Sequence, residues 1–260
     1  MRAAVTQPEI PDPCAGSGAL LSLVDRPTVG DSPCTVPDRQ TLLEAGVVRY
    51  VPHDASGYSL GYPQLELRFG LPADNELVLL PPNLNRVVMP LPGGGNQILS
   101  GGSASVLGLK HEFGYNAQWL WTGEALATLP SGSPDFGSAA TGYALNGIVS
   151  DSLTPVFALT LMLGVTHLAA SANVQAGAYY WSLNPDLVAT WQTSESWQWY
   201  AEVYGQSHTG PGEGMGYNAD GGIQYLVTPR FELDAEIGQR LSGNLGGWSH
   251  YLGVGFALLF

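Results

Sequence analysis

From Phe231 the chain reads FELDAEIG, and its apolar and charged side chains separate completely between odd and even positions. Phe231, Leu233, Ala235 and Ile237 fall on one face of an extended strand, and Glu232, Asp234 and Glu236 on the other. A helix, with its 3.6-residue period, would mix them. Residues 64–69 sort the same way, with Leu65, Leu67 and Phe69 opposite Gln64, Glu66 and Arg68. The chain's end places Trp248, Leu252, Val254, Phe256, Leu258 and Phe260 on one parity, and Ser249, Tyr251, Gly253, Gly255 and Ala257 on the other.

Followed along the whole sequence, this alternation predicts about twelve strands, near 40–50, 61–70, 75–83, 103–113, 116–129, 139–149, 155–166, 178–191, 196–208, 215–227, 230–241 and 248–260. Most exceed the ~5–6 residues of ordinary globular strands and match the ~9–11 residues with which a tilted strand crosses a bilayer. Connections at 71–75, 114–116, 151–155, 192–195 and 228–229 are short. Those at 83–102, 130–138, 167–177 and 209–214 are long and rich in Gly, Ser and Asn, although 53–60 and 243–247 are shorter than that pattern asks. Short turns on one side and long loops on the other mark an outer-membrane barrel, and an even strand count returns both termini to the periplasm. The expected fold is therefore all-β: a transmembrane, antiparallel, up-and-down β-barrel over 39–260. It follows a short irregular N-terminal extension, 1–38, placed in the periplasm as a plug or a partner-binding arm.

The aromatic residues test this independently. Trp181 and Trp191 share the apolar parity ten residues apart, roughly 23 Å along a tilted strand, close to the ~25 Å apolar band between aromatic girdles. Trp119, Trp121, Trp197, Trp199, Tyr217, Tyr225, Trp248 and Phe260 are expected in the same girdles, facing lipid at strand ends. A terminal Phe260 closing an amphipathic strand also resembles the signal read by the barrel-assembly machinery.

Composition narrows the class further. With 9 Lys and Arg against 22 Asp and Glu, the net charge is −13. That excludes a nucleic-acid binder, which needs a basic face, and docking on an anionic membrane surface. Charged residues make up 12%, about half the usual share, yet mean hydropathy is only +0.06, and uninterrupted apolar runs fall short of the ~20 residues of a spanning helix. No secretory signal follows Met1, so the chain reads as a mature form after export. An even cysteine pair in an exported chain, Cys14 and Cys34, points to a disulfide, worth ~3 kcal/mol in the chain-entropy model.

If the apolar parity meets lipid, the inward set comprises Glu44, Glu66, Arg68, Glu124, Asp186, Glu202, Asp220, Glu232, Asp234, Glu236 and Arg240. Acids dominate it, so an open lumen would favour cations or neutral solutes over anions. Glu232, Asp234 and Glu236 stand ~7 Å apart along one wall and need a cation nearby; Arg68 and Arg240 are the candidates. Inward Tyr200, Tyr204 and Tyr251 are expected first as structural packing, with narrowing of the path or lining of a ring-binding site as the alternatives. A hydrolase would need a positioned Ser–His pair. Ser207 and His208 are neighbours in a strand and point to opposite faces. With no metal-ligand spacing and no nucleotide motif, no enzyme activity, metal or cofactor is expected.

Some stretches carry a family resemblance. Asp25, Arg26 and Pro27, then Val36 and Pro37, then Leu43, Glu44 and Gly46, resemble the start of outer-membrane barrels linked as transporters to the meta-pathway of phenol degradation. Glu66, Arg68, Gly70 and Leu71 resemble their second hairpin. Asp220, Gly221, Gly222, Thr228, Pro229, Leu233 and Asp234 resemble their penultimate one. The resemblance implies a twelve-stranded barrel in the bacterial outer membrane, surrounded by its lipid, that acts as a channel or transporter for small aromatic or hydrophobic solutes. The alternative is a scaffold barrel that conducts nothing and holds an envelope protein through residues 1–38.

Overall fold

The computed structural model describes residues 11–171 and 177–260. A five-residue helix, α1 (Ala19–Leu23), precedes fifteen strands: β1 (Thr41–Pro52), β2 (Tyr58–Tyr62), β3 (Glu66–Leu71), β4 (Asn75–Leu80), β5 (Leu84–Pro90), β6 (Asn96–Gly102), β7 (Val106–Tyr115), β8 (Trp119–Thr128), β9 (Gly142–Thr154), β10 (Phe157–Ala169), β11 (Tyr179–Gln192), β12 (Trp197–Gln206), β13 (Gly216–Thr228), β14 (Phe231–Ser242) and β15 (Trp248–Leu259). Twelve of them, β1–β3–β4–β7–β8 and onward to β15, form an antiparallel circuit, and β15 closes it against β1 from Leu42↔Leu259 to Pro52↔Trp248. Closure leaves no edge inside the bilayer, as a spanning sheet requires.

Of the remaining three strands, β5 and β6 correct the expected long loop at 83–102, and β2 lies largely in the expected connection at 53–60. Pro81 and Pro82 cannot donate to a ladder, and they separate β4 from β5 rather than ending the sheet. Beyond them β5 pairs with both β2 and β6. The turn between β5 and β6 uses Gly93, Gly94 and Gly95 in left-handed conformations. The predicted loop is thus a hairpin that extends the wall above β3 and β4.

The side chains are sorted inside out relative to a water-soluble sheet. On β14, Leu233 and Ile237 are exposed, Ile237 to 64%, while Glu232, Asp234 and Glu236 are buried. Leu161, Leu163, Leu252 and Val254 are likewise outward. An apolar exterior around a polar interior matches a membrane barrel.

The described part of the chain before β1 lies inside the barrel, where it forms a plug. Leu20, Leu21, Leu23, Val24 and Val36 pack against Leu42, Leu120, Leu226, Ala257 and Leu259 from the lower ends of four strands, β1, β8, β13 and β15. The Cys14–Cys34 disulfide, with Cα atoms 5.5 Å apart, ties the start of this plug to its end.

Candidate functional site: the plugged lumen

Inward-facing acids hold the plug in place. Arg68, fully buried on β3, is the centre of the first anchor. Its Nε lies 2.6 Å from Glu76 Oε1, its Nη1 3.1 Å from Asp25 Oδ2 and 3.3 Å from Glu44 Oε1. It also donates to the carbonyls of Leu23 and Cys34 on the plug. Lys110 Nζ, on β7, reaches Asp25 Oδ1 at 3.3 Å. Glu44 accepts the backbone N–H groups of Asp25 (3.1 Å) and Arg26 (2.7 Å), and Glu76 that of Val36 (2.6 Å). Burial pushes the Asp25 carboxyl above its ordinary range, with Arg68 and Lys110 opposing that shift.

Arg26 forms the second anchor. Its guanidinium lies 3.1 Å from Asp234 and 3.7 Å from Glu236, and donates to Gln64 Oε1 at 2.7 Å. Two glycines make room for it. A Cβ on Gly46 would stand 2.5 Å from Arg26 Cζ, and one on Gly255 2.5 Å from its Nε. Strand glycines often mark such close approach.

A third anchor comes from β12 and β13. Glu202 accepts the N–H groups of Val29 (3.0 Å) and Gly30 (2.7 Å). Gln198 donates to Leu21 O at 3.1 Å, and Gln224 to Arg26 O at 3.0 Å.

Of the inward set read from sequence, Glu44, Arg68, Glu124, Asp186, Glu202, Asp220, Glu232, Asp234 and Glu236 are buried, and Glu66 is half-buried beside Asp25 and Glu44. Two pairing expectations are corrected. Arg68 serves Asp25, Glu44 and Glu76 rather than the β14 acids. Arg240 lies at the rim opposite the C-terminus, where it donates to Gly243 O and meets His53. The cation that relieves β14 is Arg26, from the plug. Sequence parity also missed Glu76, Lys110 and Glu112, although NELVLL and LGLKHEF alternate as clearly as β14 does.

Trp119, Trp121, Trp181, Trp191, Trp197, Trp199, Tyr225 and Phe260 are exposed, and Tyr217 is half-exposed. Trp248 corrects the girdle. It is only 7% exposed and packs with Tyr50 and Tyr251. The register between β1 and β15 slips between Val51 and Pro52, so Ser249 is an extra residue, and one extra residue sends the preceding side chain to the opposite face. The separation assumed for Ser207 and His208 also fails. Ser207 lies past the end of β12, its Oγ is 3.2 Å from His208 Nδ1 and it accepts the Leu183 N–H. The pair is an exposed rim contact.

The plug does not fill the lumen evenly. Between it and the lower parts of β8 to β12 lies a cavity of about 530 Å³, lined on the plug side by Leu21, Val24 and Ser32 and on the wall by Leu120, Ser150, Thr160, Val188, Thr190 and Gln198. It reaches the turns at Asn116–Trp119 and Thr154–Phe157, at the end of the barrel where the chain terminates. Among the described residues, its lining contains only two charged groups, Asp12 and Asp31.

The same architecture occurs in solved outer-membrane proteins. The COG4313 outer membrane channel from Pseudomonas putida F1 superposes with a TM-score of 0.66 at 13% identity, covering 91% of this chain and 100% of that one. The NanC porin gives 0.56 at 11% identity over 84% of this chain and 98% of its own, and the KdgM porin 0.54 at 10% over 84% and 99%. No curated protein matches the sequence. The model of the family described as "Putative MetA-pathway of phenol degradation" matches residues 24–258, from inside the plug to the last strand, and the chain belongs to that family.

Proposed function

We propose that the protein is an outer-membrane channel for small uncharged solutes of aromatic or hydrophobic character, which pass the plug along the wall of β8 to β12. The cavity beside the plug carries this reading. It is large enough for a small molecule, and it runs past hydroxyl, amide and aliphatic side chains to the periplasmic turns. Glu44, Glu76, Glu202, Asp234 and Glu236, acids that would otherwise favour cations, are engaged elsewhere, against Arg26, Arg68 and the plug's backbone N–H groups. A charged solute on the uncharged wall would lose hydration without finding a partner.

Flux into liposomes containing the barrel tests this, comparing phenol-sized neutral solutes with organic cations of equal size. Neutral solutes are expected to enter faster, and the double variant S150D/T190D to reduce their flux about tenfold, an effect of ~1.4 kcal/mol on passage. A wild-type barrel that admits neither class would favour the scaffold alternative. Preferential cation flux would return the path to the acidic wall.

A further inference from the structure

Two arginines on the outside of the barrel take no part in holding the plug. Arg49 on β1 and Arg86 on β5 fall in one cross-strand row: Arg49 stands opposite Leu60 on β2, and Leu60 opposite Arg86. Residues directly opposite in an antiparallel ladder share a face, and here that face points outward. Val47, two residues before Arg49, is exposed, as are both arginines. Two ladder steps separate them, about 10 Å between backbones. Ser100 on β6 continues the row past Arg86, and His250 on β15, opposite Val51, lies diagonally beside Arg49; both are exposed.

The row lies at one edge of the apolar band. Leu252, opposite Arg49, is eight residues along β15 from Phe260, the exposed aromatic at the other end of the barrel. Eight residues of a strand tilted by ~45° rise roughly 19 Å, and the tilt adds a further step from β15 to β1, which brings Arg49 close to the far limit of a ~25 Å band. Among the described residues, no carboxylate lies within ion-pair distance of either guanidinium. The acids nearest to Arg49 in sequence are engaged elsewhere, Glu44 with Arg68 in the lumen and Asp54 with His53 at 3.2 Å. Arg49 instead lies over the Tyr58 ring, 4.9 Å from its centroid. That contact uses the flat face of the guanidinium and leaves the N–H donors at its edge for another partner. In a chain of net charge −13, two unpaired cations side by side on the lipid-facing wall call for an anion from outside the chain, because ionisable groups at membrane depth are held by a partner.

We propose that Arg49 and Arg86, flanked by His250 and Ser100, bind the phosphate-bearing headgroup of a lipid in the leaflet opposite the chain's C-terminus, which is the outer leaflet when both ends are periplasmic. A guanidinium pairs with phosphate through two parallel N–H bonds, and the long arginine stems carry the charge from the edge of the apolar band to headgroup level. The acyl chains of that lipid would lie over the exposed Val47, Leu84 and Leu252. This site belongs to the outside of the wall and does not rest on what passes the lumen.

The full chain, purified in a non-ionic detergent and stripped of native lipid, is mixed with diphosphorylated lipid A, with the same lipid after dephosphorylation, and with inorganic phosphate, and bound lipid is counted by native mass spectrometry. One retained copy of the phosphorylated lipid is expected, held at least about tenfold more tightly than the dephosphorylated one. Inorganic phosphate at equal concentration should not displace it. The comparison of the two lipids on the wild type requires no variant to fold. R49Q/R86Q should weaken retention of the phosphorylated lipid at least about tenfold, whereas R230Q, in the exposed turn between β13 and β14 at the other end of the barrel, should leave it unchanged. The assignment is overturned by equal affinity for the two lipids, by undiminished binding in R49Q/R86Q, by an equal loss in R230Q, or by displacement with inorganic phosphate, which would mark a site for free anions rather than for a lipid.

Discussion

The two sides of the lumen were built from the same strand pattern but perform different tasks. On the side formed by β1, β3, β4, β7 and β12 to β15, many inward positions near the plug are charged or amides, and several are matched to plug atoms: Glu44 to two N–H groups, Arg68 to two carbonyls, Asp234 to Arg26. On the lower part of β9 to β11, inward positions carry Ser150, Thr160, Val188 and Thr190, and the plug stands off to leave a cavity. The difference shows that the acidity of this barrel is mainly a docking chemistry. Water-excluded charges need fixed partners, so they are gathered where the plug can supply them. The passage is left to groups that make no such demand.

Breaking the charged side should have the largest effect. Replacing Arg68 by Ala would strand Glu76, Asp25 and Glu44 in a buried site, and removing one partner of a buried ion pair costs about 3–5 kcal/mol. R68A is expected to lower the urea midpoint of the detergent-solubilised barrel and to expose the segment between Leu23 and Cys34 to protease. T190A, on the open side, should cost within about 1 kcal/mol, since that hydroxyl makes one weak contact, 3.5 Å to Ala158 O. Equal sensitivity of the two variants would erase the distinction between docking wall and passage.

The Arg26 cradle offers a sharper, intermediate test, because it adds a single methyl group and removes no charge. In G255A the new Cβ would stand 2.5 Å from Arg26 Nε and 2.7 Å from Asp234 Oδ2, and overpacking of this kind costs about 1–3 kcal/mol. The variant should keep the barrel folded, retaining its heat-modifiable gel mobility, yet raise single-channel conductance as the plug loosens. Gly147 on β9 has nothing within 4 Å of such a Cβ, so G147A should leave conductance unchanged. An unaltered conductance in G255A would mean that Arg26 is not a latch.

The barrel was legible in sequence because the lipid boundary imposes a local rule, a two-residue period that any ten-residue window displays. What failed was whatever depended on distant partners or on one-residue irregularities. Arg26 meets Asp234 across 208 positions, and the plug that carries it has no period at all, so its partners could not be inferred from alternation. Trp248 obeys the pattern in sequence and violates it in space because Ser249 is an extra residue. The β5–β6 hairpin was hidden behind Pro81 and Pro82, which interrupt the ladder without ending it. Lys110 and Glu76, in contrast, lay on visible inward parities and were recoverable by the same rule that found Glu44.

The smallest expected effect lies where the two sides meet. Asp31 sits half-buried on the rim of the cavity. Burial, reinforced by Glu124, pushes its carboxyl well above the ordinary 3.8, with Lys110 and Arg68 pulling the other way. The docked plug therefore keeps this proton at pH values where a released plug has lost it. Between 3.8 and the raised value the docked state binds more protons, so its stability from this group is greatest at the acid end and falls as pH rises through that window. D31N removes the titration while keeping the side chain's size and its approach to Asn146, 3.4 Å away in the wild type. Protease release of the plug, measured from acid to neutral pH, should rise less steeply in D31N than in the wild type. The difference should be modest, because Asp25 is raised by burial as well and continues to titrate. Identical pH slopes for the two proteins would place Asp31 in the passage's solvent rather than in the docking seam.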